Sequence, residues 1–277
     1  MEGATGRQRL GKSSLQELYI PLPPFPEQRA IAHILQTVQV AKEKIEGVIQ
    51  AAKELKKSFL KYLFSYGPVP VEYAEKVPLK KTEVGLIPEE WQVVRLGEVA
   101  EVIMGQSPPG STYNQAGIGT PFLQGKAEFG NIFPSNIKYT VKPKKIAPEK
   151  SVLISVRAPV GDINIANIPY CIGMGLASLS MKIGDNIFLF YLLCHKKNDI
   201  EKEGTGSTFK AINKDKIISF PIPLPPLHIQ QRIADILSTV DERIESAENQ
   251  KHTLETLFKT LLSLLMSGII RLSWSHD

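Results

Sequence analysis

Four turn-rich segments between residues 91 and 220 hold the side chains whose types and spacing could do chemistry. They carry amides, hydroxyls, lysines and one arginine, in chain order Gln106, Ser107, Tyr113, Asn114, Gln124, Lys126, Asn131, Arg157, Ser207, Thr208, Lys210 and Lys214. These side chains match the hydrogen-bonding edges of bases and the oxygens of phosphates. Each segment alone is typical of an ordinary turn, but together they predict a nucleic-acid interface.

The distribution of charge favours the same interpretation. The chain of 277 residues has a net charge of +5, and residues 91–220 alone carry 15 Lys and Arg against 10 Asp and Glu. Lys142, Lys144, Lys145 and Lys150 cluster within that region. A polyanion would meet this region first, although a solvated basic face explains the charge equally well.

No catalytic constellation accompanies these residues. The sequence lacks a Walker loop, a nucleophile elbow and an HExxH motif, and Gly173-Met174-Gly175 is typical of a turn. Asp162 and Glu128 have no metal-site spacing, and the two cysteines, Cys171 and Cys194, form no CxxC pair. The sequence therefore predicts a protein that recognises a ligand, with no catalytic residue, metal or cofactor of its own.

Short β-rich runs separated by turn residues fill residues 91–221, and one apolar stretch, residues 187–194, is typical of a helix. We interpret 91–221 as one α+β domain and the proline-rich segment 68–90 before it as a linker. The chain has no apolar run of bilayer length and no apolar signal segment at its start. With so few cysteines, a reducing cytoplasm is the expected location.

A repeat frames this domain. The sequence IPLPP begins at Ile20 and again at Ile222, and each copy leads into a long stretch of helical periodicity. We predict the first long helix over 26–67, and we assign the second lead together with its long helix to 222–270. Apolar residues at alternating steps of three and four predict a seam on each helix, formed by Ile31, Ile34, Val38, Ile45, Leu55 and Phe59, and by Ile233, Leu237, Val240, Ile244, Leu254, Phe258 and Leu261. Neither helix can bury its seam alone, so we expect the two to pair, in either orientation.

These motifs together resemble the DNA-specificity subunits of type I restriction–modification systems. The likeness rests on the doubled IPLPP-x3-Q, with Gln28 and Gln230, and on residues 81–102, 155–167 and 204–226. It covers almost the whole chain, and the combination is specific although each part alone is not.

The resemblance implies a β-rich target-recognition domain and two long helices forming an antiparallel coiled-coil spacer. Such a subunit reads one half of a split site on double-stranded DNA and docks methyltransferase subunits, which restriction/translocase subunits join. S-adenosylmethionine, Mg²⁺ and ATP belong to those partners, so this chain is expected to be a non-catalytic recognition subunit.

The chain departs from the family at its start, where residues 1–25 resemble only the tail of a first recognition domain. One domain with two helices could build a complete reader as a homodimer on a palindromic split site, because protein symmetry and site symmetry match. Two alternatives stay open: a specificity module of a combined methylating and cleaving enzyme of the type IIB/IIG kind, and a coiled-coil scaffold without DNA binding.

Overall fold

The computed structural model describes residues 20–135, 137–204 and 211–272. They divide into two compact units, one within Met1–Lys53 and Glu242–Asp277 and the other within Glu54–Asp241. The helices are α1 (Phe25–Tyr66), α2 (Leu96–Val99), α3 (Asn186–His195), α4 (Lys197–Glu203), α5 (Lys214–Ser219) and α6 (Leu227–Met266). Helices α1 and α6 each contribute to both units, whereas the sequence-based division keeps each helix whole. Most of the expected remnant 1–25 lies outside the described residues.

The repeated lead and its glutamine have a common structural role. The Gln28 side-chain amide donates a hydrogen bond to the carbonyl of Pro23 at 2.7 Å, and that of Gln230 donates to Pro225 at 2.8 Å. Because proline residues supply no N–H to their neighbours, the carbonyls of the lead need donors from elsewhere. The glutamine five residues on supplies one in each copy, which explains why the repeat keeps it.

The first unit pairs a segment of α1 with a segment of α6. The Lys251 ammonium lies 2.9 Å from the Glu46 carboxylate, and Lys53 lies 2.6 Å from Glu248. From the first ion pair to the second, the position on α1 rises from 46 to 53 while the position on α6 falls from 251 to 248. The two segments are therefore antiparallel here. The coiled-coil packing itself stays a prediction.

One residue of the predicted seam is wrong. Leu55 is 49% exposed, and Val48, two turns earlier, is also exposed, whereas Ile49 is buried. The less exposed residues Ala41, Ile45 and Ile49 follow one another at two successive steps of four, where the predicted pattern has a step of four and then a step of three. The inward-facing apolar positions of the helix are therefore shifted by one residue from there on. Lys56 therefore faces inward in place of Leu55.

The second unit contains the thirteen strands that the described residues form. They are β1 (Leu79–Thr82), β2 (Gly85–Pro88), β3 (Gln92–Arg95), β4 (Ala100–Met104), β5 (Tyr113–Asn114), β6 (Thr120–Leu123), β7 (Lys138–Thr140), β8 (Ile146–Ala147), β9 (Val152–Ser155), β10 (Ile163–Ile165), β11 (Tyr170–Ile172), β12 (Leu176–Met181) and β13 (Pro221–Leu224). A four-stranded antiparallel sheet has the order β10-β9-β12-β4, and a five-stranded sheet has the order β5-β7-β6-β11-β8 with β6 and β11 parallel. The mixed helix-and-sheet class expected from the sequence is confirmed.

Both faces of the four-stranded sheet are covered. On β9, Val152 and Ile154 belong to the larger core with residues of α3, while Leu153 belongs to a second core with residues of the five-stranded sheet. A strand buried on both faces needs the continuous apolar run that β9 has. Helix α3 is apolar on all sides and is buried from Phe188 to Leu193, as a helix inside a core must be.

The segment 68–90 is not the linker that its prolines and charges predict. It forms a 3-10 turn, Val71–Lys76, followed by the β1–β2 hairpin. Ile87 on β2 and the neighbouring Trp91 are buried in the larger core. Because this core needs those two side chains, the segment folds as part of the second unit.

The second lead pairs as a strand. β13 lies antiparallel to β3, with Ile222 opposite Val94, and Ile222 is fully buried. Ile20, its counterpart in the first lead, is 68% exposed. The same five residues thus meet different surroundings in the two copies. Among the described helices, none is both long and apolar enough to cross a membrane.

A buried polar cluster joins three helices within the second unit. Asp241 on α6 accepts a hydrogen bond from the Tyr191 hydroxyl at 2.8 Å, and the Lys56 ammonium lies 2.6 Å from its carboxylate. Burial raises the pKa of the Tyr191 phenol well above its usual range, so the hydroxyl stays protonated and donates. The carboxylate is 9% exposed and the lysine side chain 24%, which places the pair largely out of water.

We expect Asp241→Ala to lower the free energy of unfolding by about 3 kcal/mol, because it leaves a buried ammonium and a buried hydroxyl without an acceptor. The double variant Lys56→Met/Asp241→Leu removes both charges and should recover most of that loss. Urea unfolding monitored by circular dichroism gives both values. Lys53→Met, which breaks a more exposed ion pair, is the control and should cost at most about 1 kcal/mol. A double variant no more stable than Asp241→Ala would contradict this account.

Candidate nucleic-acid interface

Two of the predicted loops meet through a side-chain pair. The Gln124 amide donates a hydrogen bond to the Ser107 hydroxyl oxygen at 3.0 Å, and that oxygen also accepts from the backbone N–H of Met174 at 3.2 Å. Gln106, one residue before, donates its backbone N–H to the carbonyl of Ile172 at 2.8 Å. Its side chain is exposed. The loops after β4 and β6 therefore converge on the turn after β11.

That turn, residues 173–175, joins the third loop to the first two. The Gly175 N–H donates to the carbonyl of Gln124 at 3.2 Å, and the Gly175 carbonyl accepts from Val156 at 2.9 Å. Val156 in turn accepts from Ile212 at 3.0 Å, and its neighbour Arg157 forms an isolated bridge with Ala211. We call this continuous set, residues 105–108, 124–126, 156–157, 173–175 and 211–212, the loop junction.

The loop junction presents polar, cationic and apolar side chains to solvent. Gln106, Arg157 and Met174 are exposed, as is Lys126 at the start of a 3-10 turn. The basic segment 142–145 leads into it, because the carbonyl of Lys145 accepts a hydrogen bond from Ile172 directly before the turn. Amide, guanidinium and ammonium groups at one edge can together contact base edges and phosphates.

Besides Ser107 and Gln124, three further predicted site residues have structural partners inside the second unit. The Asn114 side chain accepts hydrogen bonds from the N–H groups of Ala116 and Ile118 and donates to the carbonyl of Ile118, so it holds its own turn. The Tyr113 hydroxyl donates to the carbonyl of Pro108 at 2.9 Å. Both residues shape the first loop. Lys126 lies 2.6 Å from the carboxylate of Asp162.

The remaining predicted residues lie elsewhere or outside the described chain. Asn131 is exposed in the turn bounded by the Phe129–Pro134 bridge. Lys214 is exposed at the first position of α5, next to the cap residue Asn213. Ser207, Thr208 and Lys210 lie outside the described residues.

Gly173, Met174 and Gly175 were not predicted as site residues. A Gly-x-Gly pair is typical of many turns, and only the structure shows that its backbone must approach that of Gln124 closely. A Cβ on Gly175 would lie 2.6 Å from the Gln124 carbonyl oxygen and 3.0 Å from Cα of Gly125. No side chain fits there without moving one loop away from another.

In the described part of the chain, no three His, Cys, Asp or Glu residues are placed to hold a metal ion. His195 stacks on Phe64 with ring centroids 5.1 Å apart, and burial lowers its pKa. Glu128 is buried and accepts the N–H of Gly125 at 2.9 Å, so it too supports a loop.

We expect Gly175→Ala to lower the free energy of unfolding by roughly 1–3 kcal/mol, because the added methyl group forces two loop backbones apart. Gly110→Ala is the matched control, since a Cβ there has no atom within 4 Å. Chemical unfolding of both variants provides the measurement. Equal stability of the two variants would show that the close backbone approach is not required.

Comparison with known proteins identifies the family of the chain. The family described as type I restriction modification DNA specificity domain matches residues 2–54 and 88–256. A Methanocaldococcus jannaschii protein named as the specificity subunit of the type I restriction enzyme MjaX is 45% identical over 272 residues, which are 97% of this chain and 63% of that protein. The MjaVIII specificity subunit of the same organism is 29% identical over an alignment of 285 positions that covers 96% of this chain and 65% of that protein. The chain thus spans less than two thirds of the length of these relatives.

Solved structures agree with this relationship. The HsdS subunit from Thermoanaerobacter tengcongensis superposes with a TM-score of 0.55 and 34% identity, over 98% of this chain and 65% of that one. The S subunit from M. genitalium has a TM-score of 0.66 over 94% of this chain and 66% of that one, and at 18% identity it shows the shared fold alone. With the family match covering most of its residues, the chain belongs to the type I restriction–modification DNA specificity domain family.

Proposed function

We propose that the chain is the non-catalytic, sequence-specific DNA-binding component of a type I restriction–modification system. The loop junction carries this proposal, because it brings the glycine-containing turn 173–175 and three predicted loops together at one edge of the β-rich unit. Loops held by a rigid scaffold are the usual carriers of recognition side chains. In this account Gln106 and Arg157 face the bases, and the basic segment 142–145 faces the phosphate backbone.

The finer part of the proposal concerns the long helices. We propose that the chain reads one half of a split target and that methyltransferase subunits dock on α1 and α6, joined by restriction/translocase subunits. In the first unit the helices expose the large apolar side chains Val40, Val48, Leu257 and Leu262. Apolar side chains left outside a helix pair favour a partner protein on that surface.

Binding to double-stranded DNA tests the proposal directly. We expect the dissociation constant for a duplex of arbitrary sequence to rise steeply with salt, because each phosphate contact contributes about −0.9 to the slope of log affinity against log salt. A duplex selected from a randomised pool should bind more tightly than the arbitrary one. Fluorescence anisotropy at several salt concentrations measures both. Absence of binding at low salt, with and without the methyltransferase subunit, would instead favour a scaffold without DNA affinity.

Two variants separate base contacts from phosphate contacts. Gln106→Ala should reduce the preference for the selected duplex roughly tenfold, because it removes an amide that can read a base edge. Lys145→Ala should weaken both duplexes equally and make the salt slope shallower by about 1. Uniform weakening by both variants would remove Gln106 from the base-reading surface.

We also propose a two-fold homodimer through the long helices. The first lead supports it, because Ile20 and Leu22 are exposed, whereas the equivalent Ile222 is buried on the paired strand β13. Exposed apolar side chains of this kind favour a partner chain on that surface.

Light scattering of the purified chain at micromolar concentration should give about twice its mass of 30.7 kDa. A two-fold assembly further requires the selected duplex to be a split palindrome. A mass of 30.7 kDa for the chain alone, and one copy of the chain per complex when the methyltransferase subunit is added, would contradict the homodimer.

A further inference from the structure

One carboxylate in the second unit binds two lysines at the edge of the loop junction. The Asp162 oxygen Oδ1 lies 2.6 Å from the Lys197 ammonium, and Oδ2 lies 2.6 Å from that of Lys126. The carboxylate is only 16% exposed, whereas the two lysine side chains are 39% and 44% exposed. Both ammonium groups can therefore reach solvent, but the anion that holds them is largely out of reach.

The Asp162 backbone is fixed by Ser155. The Asp162 N–H donates to the Ser155 hydroxyl at 2.9 Å, and the Ser155 N–H donates to the Asp162 carbonyl at 2.9 Å. The same hydroxyl donates to the carbonyl of Pro159 at 2.8 Å, which closes the loop that carries Arg157. The carboxylate is consequently held in place between Lys126 of the loop junction and Lys197 at the start of α4.

Several charges act on this carboxylate. Burial raises the pKa of Asp162, but the hydrogen bonds and charges of Lys126 and Lys197 outweigh burial and hold the pKa below its usual range. Glu201 lies 3.8 Å from Lys197 on its other side. Asp162 is therefore ionised at the pH of DNA binding and occupies the position between two ammonium groups that a phosphate oxygen would prefer.

We propose that Asp162 restrains sequence-independent DNA binding by engaging Lys126 and Lys197, and so determines specificity through them. This inference rests on the proposed DNA-binding function. Phosphate contacts contribute affinity without sequence information. Two lysines beside the loop junction that had no carboxylate partner would therefore strengthen binding to every duplex. The Asp162 carboxylate lowers this sequence-independent contribution to the affinity. A larger share of the affinity then comes from the side chains that contact the bases.

Asp162→Asn tests this role, and Asp199→Asn is a control with the same change of charge. Asp199 on α4 also lies between two lysines, with Lys196 at 3.3 Å and Lys202 at 3.2 Å, but its side chain is 48% exposed and neither lysine belongs to the loop junction. We expect Asp162→Asn to tighten binding to an arbitrary duplex on the order of 3–10-fold at low salt and to steepen the salt slope by about 1. Asp199→Asn should change both quantities much less.

The selected duplex provides the specificity readout. Asp162→Asn should lower the ratio of selected to arbitrary affinity. The added phosphate contacts strengthen binding to both duplexes, but on the selected duplex they compete with the best placement of the base contacts and so add less. The double variant Asp162→Asn/Lys197→Met restores the net charge and should return the salt slope to its original value. A purely structural role for Asp162 would weaken binding to the selected duplex without steepening that slope.

A second variant decides the matter if Asp162→Asn does not fold. Lys197→Met leaves Asp162 paired with Lys126 alone, so it should weaken arbitrary-duplex binding several-fold and make the slope shallower. Unchanged binding by Lys197→Met, or equal effects of Asp162→Asn and Asp199→Asn, would overturn the inference. Failure of the unmodified chain to bind any duplex would instead overturn the proposed function.

Discussion

The close approach of backbone at residues 173–175 holds the loop junction together. Gly175 donates to the carbonyl of Gln124 and accepts from Val156, so one residue joins strands of both sheets to the loops between them. Because a Cβ at this position would lie 2.6 Å from a carbonyl oxygen, the contact exists only with glycine. The relative positions of Gln106, Gln124 and Arg157 follow from it. A reader of DNA needs such fixed positions, since base contacts lose their value when the loops that carry them can drift.

Packing behind the loop junction supplies the rigidity. The strand β9 is buried on both faces and ends at Ser155, whose hydrogen bonds set Asp162 and the loop of Arg157. Helix α3 covers one face of that sheet and the five-stranded sheet covers the other. The polar cluster of Lys56, Tyr191 and Asp241 adds directional contacts within the same unit, because each hydrogen bond constrains the orientation of the two helices that it joins. Apolar packing alone would specify that arrangement less strictly.

The architecture could be predicted from the sequence wherever periodicity carried the signal. Proline leads, alternating apolar steps and the terminal Gly67 and Gly268 located α1 and α6, and turn residues located the loops. Leu55 was misplaced because a heptad pattern cannot reveal a local shift to two successive steps of four. The segment 68–90 was misassigned because its composition is that of a linker, while the burial of Ile87 depends on distant parts of the chain.

The same limit applies to the site. Asn114 and Gln106 are similar in a sequence, and only three-dimensional contacts show that one holds its own turn and the other is exposed.

Site-specific photocrosslinking to DNA tests the central claim most directly. Met174 lies at the exposed tip of the loop junction, and Leu86 is equally accessible on the β1–β2 hairpin of the same unit. A photoreactive residue in place of Met174 should crosslink to the selected duplex, and one in place of Leu86 should not. Crosslinking from position 86 with none from position 174 would show that DNA meets a different face of the domain, and would contradict the assignment of the loop junction as the reading surface.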